Sequence, residues 1–346
     1  MKAARFYEVG KELLVEEIPT PRPGTGEVLV QVKACGVCGS DIHIAMEGVT
    51  PTAFQPITLG HEAAGIVSEI GPGVTDFHAG DRVCICPFLV CGRCINCRTG
   101  NPQICLERRC IGIQLDGGLA EYVLVPAANL VPLPPNVPFD QGAIITDAVA
   151  TPFHALFATG RLRAGMTVAI FGCGGLGIHA VQLARLGGAD KVIGVDVREV
   201  VLNKALEVGA DAVINGARVD PVDAILAETG GLGVDLAVEL VGLTSTIAQA
   251  VACLRVGGRA VVAGLGPEPI QTLPPVQFVR REAALLGSYG FTVNEIASLV
   301  SLVSSGRLDI SGSVSLTLGL NQINEALERL HHKIGDPIRI VIRPDR

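Results

Sequence analysis

The chain has 346 residues, more than one ordinary hydrophobic core accommodates, so two domains are expected. It is 49% apolar and 18% charged, a globular rather than disordered composition, and its net charge of −7 comes without a basic stripe, which argues against nucleic acid as a partner. The opening Met1 to Tyr7 has no apolar stretch of signal-peptide length and no later apolar run reaches membrane-spanning length, so a soluble, cytoplasmic protein with no membrane partner is expected.

Residues 1–34 alternate short apolar runs with Pro and Gly turns. Leu13 to Val15 and Glu27 to Lys33 read as antiparallel strands about the turn Pro21 to Gly26. Cys35-Gly-Val-Cys38-Gly-Ser40-Asp41-Ile-His43 follows. Its C-x-x-C spacing would suit a redox pair only in a thioredoxin-like setting, which is absent. Gly60-His61-Glu62 then opens a further strand. Cys91, Cys94, Cys97 and Cys105 give the sharpest local pattern. Three thiolates at i, i+3 and i+6 wrap a loop around one ion, and a fourth closes a tetrahedral shell with no open position, which suits a structural zinc. Cys84, Cys86, Cys110, Cys173 and Cys253 lack such spacing and read as small buried hydrophobes.

Short strands return at Glu121 to Val125 and Asn129 to Leu133, and Ile144 to His154 leads into a helix. Asp147 falls there among apolar neighbours, where an unpaired carboxylate is costly and calls for a cation. His154 reads as a helix residue with a satisfied ring. From Thr167 the pattern changes to alternating strands and helices, with strands expected at 168–171, 191–195, 212–214, 235–239, 260–263 and 284–286: an α/β, doubly wound parallel sheet. The first of these strands runs into Gly172-Cys-Gly174-Gly175-Leu176-Gly177 and then a helix over 178–186. That order lets backbone N–H groups meet a pyrophosphate at the helix start. Asp196, about twenty residues on, can hold an adenosine ribose, which favours NAD over NADP, while Arg198 leaves room for some NADP use. Val241 with Gly242, and Gly264 with Leu265, follow two later strands at the carboxyl edge where ligands bind. Amphipathic helices are expected at 294–305 and 321–330, and a strand at 338–342.

With these motifs in this order over essentially its whole length, the chain resembles the zinc-dependent medium-chain alcohol dehydrogenases, in the bacterial form with aspartate as a catalytic zinc ligand. The resemblance implies a Rossmann sheet inserted in a β-rich, GroES-like barrel catalytic domain. The catalytic domain would take 1–150, with a structural zinc lobe at 91–105, and 287–346; the NAD-binding domain would take 151–286. It further implies two zincs per chain, one structural on the four cysteines above and one catalytic on Cys38, His61 and Asp147. Glu62 would lie beside the catalytic metal, Asp41 would support the histidine ligand, and Ser40 and His43 would relay a proton through the cofactor ribose. Thr151 would sit behind the nicotinamide and Arg339 near the pyrophosphate. Gly39 stands where the better-known animal members carry a basic residue.

The activity so implied is reversible hydride transfer between an alcohol and NAD, with zinc holding the alkoxide and the product an aldehyde or ketone. The chain would work as a homotetramer or homodimer. Phe88, Phe153, Tyr289 and Phe291 read equally as core or as pocket lining, and as lining they would favour an apolar primary or secondary alcohol. A polyol or sugar-alcohol dehydrogenase would share every metal and cofactor residue. A zinc-free reductase, or a non-catalytic NAD-binding structural or sensor protein, would have no use for both metal sets.

Overall fold

In Glu27–Val37 the residues Val28, Val30 and Val32 are fully buried, and from Ala34 onward every residue of the strand is buried. The computed structural model describes residues 1–346, and this strand is the axis of the first of two units, Met1–Ala150 with Gly290–Arg346. One edge pairs antiparallel with Glu62–Ile70. The other is shared: its first half takes Tyr122–Pro126 and its last three residues take the strand Arg339–Arg343. Arg82–Ile85 and Leu130–Pro132 extend the sheet on one side and Val314–Gly319 on the other. The core packs inside this curved sheet, around Phe6, Leu59, Ile111 and Leu119.

Leu14–Glu17 does not form the expected hairpin with 27–33. It pairs with Lys2–Phe6, in a small sheet completed by Ile57–Thr58. Pro19, Pro21 and Pro23 supply no N–H to a hairpin turn there, and Leu13 is instead buried, its backbone clamped at 2.9 and 3.0 Å by the Asn324 amide.

The second unit, Thr151–Tyr289, is built on six strands in the order 212–215, 191–196, 167–171, 234–239, 254–262 and 284–287, every neighbour parallel. This is the doubly wound order read from the alternating pattern, with its switch between 167–171 and 234–239. Leu254–Val262 begins six residues before the expected start, because Gly257 and Gly258 hide its apolar rhythm. All five cysteines outside the metal motifs that were expected inside are buried. No helix is long and apolar enough to cross a membrane.

Candidate metal and nucleotide sites

In the first unit four elements converge on one point. Cys38 caps the helix Gly39–Ala45, and its N–H is held at 2.9 Å by the buried Asp41 carboxylate of the first turn. His61 and Glu62 come from the start of the central strand's neighbour, in register with Gly36. Gly36 has to be glycine: a Cβ there would lie 2.1 Å from Glu62 Oε2. Asp147 lies in a π-helical stretch, Ile145–Val149, that follows the helix Phe139–Ile144. Such wide turns re-aim a side chain without ending the helix. Cys38 Sγ is 3.3 Å and His61 Nε2 3.7 Å from Asp147 Oδ2, and one ligand atom each of Cys38, His61, Glu62 and Asp147 lies within 4.8 Å of the others.

The charges at this point do not balance among themselves. Burial pushes the Cys38 thiol up, and the neighbouring Asp147 carboxylate pushes it further. Burial alone would lower His61, but its hydrogen bonds with Asp147 and Cys38 carry it well above its ordinary value. Burial also lifts Glu62 to about 7 against the pull of Arg339. Both Glu62 oxygens and His61 Nδ1 are buried without a hydrogen bond. A soft sulfur, an imidazole and carboxylates facing one point fit zinc, whose charge would resolve these conflicts.

Arg339 has a partner that the sequence reading did not name. Its side chain is 4% exposed, with Nη2 3.1 Å from Glu62 Oε1 and 3.7 Å from Asp147 Oδ2, beside the buried carboxylates of the metal site. Nη2 is close enough for an ion pair but not aligned as a hydrogen bond. Ser40 Oγ lies 3.7 Å from Cys38 Sγ. His43, one helical turn further, is a third exposed and its Nδ1 is 2.6 Å from Glu47 Oε2.

Cys91, Cys94, Cys97 and Cys105 also gather within 4.8 Å. Backbone N–H groups of Cys91, Cys94 and Glu107 point at their sulfurs at 3.3–3.4 Å. Those of Cys97 and Leu106 lower the Cys94 thiol to about 6. The short helix Ile95–Arg98 buries no residue, and Ile95, Ile104 and Leu106 are exposed, so the lobe has no apolar core of its own. A metal is what can hold it. Cys94→Ser is therefore expected to halve the zinc content and open the exposed Arg93 and Arg98 to trypsin. Atomic absorption and limited proteolysis check this.

In the second unit the glycines divide the work. A Cβ on Gly177 would sit 1.8 Å from the Gly172 carbonyl oxygen, so helix Gly177–Leu186 packs against the turn only with glycine. Gly172 has φ +85°, and a Cβ on Gly174 would meet nothing nearer than Arg198 Nη2 at 3.8 Å, an open approach beside Gly175 and Leu176 where a pyrophosphate fits. Asp196 accepts N–H groups of Cys173, Val197 and Arg198 at 2.8–3.0 Å, and Arg198 Nε is 3.8 Å from it. Val241, Gly242, Gly264 and Leu265 come together: a Cβ on Gly264 would be 2.2 Å from Gly242 N, and one on Gly242 2.3 Å from Leu265 O. Glu239, buried, fastens this turn by accepting from Val241, Gly242 and Thr246 at 2.8–2.9 Å, a role its strand-end position did not reveal. Thr151 is half-buried at the start of this unit.

Comparison with known proteins agrees with both units. Residues 24–135 match the alcohol dehydrogenase GroES-like domain and residues 175–305 the zinc-binding dehydrogenase domain. The chain is 34% identical to the NAD-dependent alcohol dehydrogenase of Sulfurisphaera tokodaii over 96% of this chain and 97% of that one. It is 33% identical to the sorbitol dehydrogenase of Halalkalibacterium halodurans over 95% of each. Among solved structures, the alcohol dehydrogenase of the archaeon Aeropyrum pernix superposes with a TM-score of 0.89 at 34% identity, covering 99% of this chain and 100% of that one. The fold and the two metal constellations are those of a zinc-type dehydrogenase. The chain belongs to the zinc-dependent medium-chain alcohol dehydrogenase family, and it is an oxidoreductase.

Proposed function

We propose that the chain catalyses reversible hydride transfer between an apolar primary or secondary alcohol and NAD, with two zincs per chain. The observation that carries this is the convergence of Cys38, His61 and Asp147 beside Ser40. These three would hold the catalytic zinc, and Cys91, Cys94, Cys97 and Cys105 the structural one. When bound, zinc lends Lewis acidity to the substrate oxygen and NAD accepts the hydride. Ser40 Oγ takes the hydroxyl proton, and His43, one turn along the same helix, is its exit. Glu62 and Arg339 form a buried pair beside the ligands that sets the local charge. Phe88 pairs in register with Cys110 and packs against the core of the first unit. Phe291, fully buried, packs on Phe88 with ring centroids 5.0 Å apart, while Phe153 packs on Phe157 and Tyr289 is exposed. The apolar alcohol rests on these aromatics as candidate lining residues.

Absorbance of reduced cofactor, followed over primary alcohols, secondary alcohols and polyols with zinc content measured alongside, tests this directly. Turnover of apolar alcohols with NAD and two zincs per chain is expected. Turnover confined to polyols would instead support the second reading, favoured by the sorbitol dehydrogenase relative. A homotetramer or homodimer belongs to the same proposal and is checked by light scattering. Asp196→Asn is expected to raise the KM for NAD about tenfold, roughly 1.4 kcal/mol, and to narrow the gap to NADP. Parallel titrations with both cofactors check it.

A further inference from the structure

His43 does not stand alone at the surface. A carboxylate only accepts, so the 2.6 Å contact with Glu47 puts a proton on His43 Nδ1 and leaves Nε2 as the free acceptor. The other Glu47 oxygen faces His331 Nδ1 at 3.9 Å. His331 stacks edge-on against His332 with ring centroids 4.6 Å apart, and His332 Nε2 reaches Glu328 Oε2 at 3.2 Å. Side-chain exposure is about a third at His43, Glu47 and His331 and more than half at His332 and Glu328, where the line ends. The helices Gly39–Ala45 and Ile323–His331, which pack together in the first unit, and the residues just past their ends thus carry three imidazoles and two carboxylates in a row from the relay position to solvent. All five side chains are partly or largely exposed.

We propose that Glu47 is the positioning residue and proton outlet of His43, and that His331, His332 and Glu328 form a proton-exchanging surface around it. This rests on reading Ser40 and His43 as the proton relay. Each alcohol oxidised by NAD yields one carbonyl, one reduced cofactor and one proton. The imidazole gains that proton at Nε2 and gives up the one on Nδ1 to Glu47 Oε2, which passes it to His331 or water; only N–H and O–H bonds are made and broken. Glu47 also keeps the ring in the tautomer that leaves Nε2 available.

The test is stopped-flow oxidation of an alcohol by the zinc-loaded enzyme in weak buffer, with a pH indicator reporting proton release in the first turnover. Glu47→Gln is expected to slow that release about tenfold, with the alcohol KM unchanged. A hindered pyridine buffer, too crowded to ligate zinc, should restore the rate. His331→Gln should show a smaller loss with the same rescue. A loss that buffer does not restore, or a change in KM alone, would assign Glu47 a merely structural role and overturn the proposal. Wild-type release in Glu47→Gln while Ser40→Ala is slow would overturn it too and leave the relay standing. Full turnover in Ser40→Ala would sink the relay reading itself.

Discussion

Cys38→Ala is expected to abolish alcohol oxidation while leaving NAD binding nearly intact. The thiol is one of the donors within 4.8 Å at the first unit's metal site, whereas the glycine turn and Asp196 lie in the second unit. Loss of the metal removes several kcal/mol of charge stabilisation at the substrate oxygen, a fall in kcat/KM of about a thousandfold or more. Zinc should drop to one per chain, because the cysteine lobe keeps its four thiols. Steady-state kinetics, cofactor fluorescence titration and metal analysis on one preparation separate the effects. Parallel loss of NAD affinity would mean that the division of labour between the units is wrong.

Arg339→Met should have the largest effect on stability, and the effect should depend on pH. Glu62 is fully buried and Arg339 is its nearest cation. Burial has raised Glu62 to about 7, above its unfolded value, so in metal-free protein its contribution is favourable at low pH and is lost as pH rises toward that value. Without the guanidinium the carboxyl climbs further. Parent and variant therefore lose stability together up to about 7, and the gap opens only above it. Two pH units higher it should reach about 3 kcal/mol. Urea titrations of zinc-stripped protein across this range measure it. Glu62→Gln in the same background should close most of the gap, and a gap independent of pH would show that Arg339 acts through packing alone.

Much of this molecule is legible in its sequence because local patterns and chemistry coincide. The six parallel strands follow runs of buried β-branched residues, and the four lobe cysteines lie within fifteen residues of one another. Asp147 was legible as a carboxylate in need of a cation, but the π-helical stretch that aims it was not, since wide turns have no period to detect. Leu14–Glu17 went to the wrong partner because alternation marks a strand without choosing its neighbour. The pairing of Arg339 with Glu62 was not legible for a related reason. Nothing near it in sequence announces Glu62; only the register of 340–342 on 35–37 brings the two together. Glu47 was invisible as well, because its service to His43 depends on side-chain direction one helical turn away.

The shared edge of Glu27–Val37 also sets an order of events during synthesis. The strand is made early, yet the partner of its last three residues, Arg339–Arg343, emerges only after the whole second unit. Thr151–Tyr289 is one continuous stretch and can fold as it leaves the ribosome, as domains generally do. The first unit cannot close its sheet at that time. Cys38, His61, Glu62 and Asp147 are then already present without the guanidinium that faces Glu62 and Asp147. A nascent chain can therefore hold a formed nucleotide-binding half while its metal site still lacks Arg339, and zinc arriving at that stage would be the first cation to face Glu62 and Asp147.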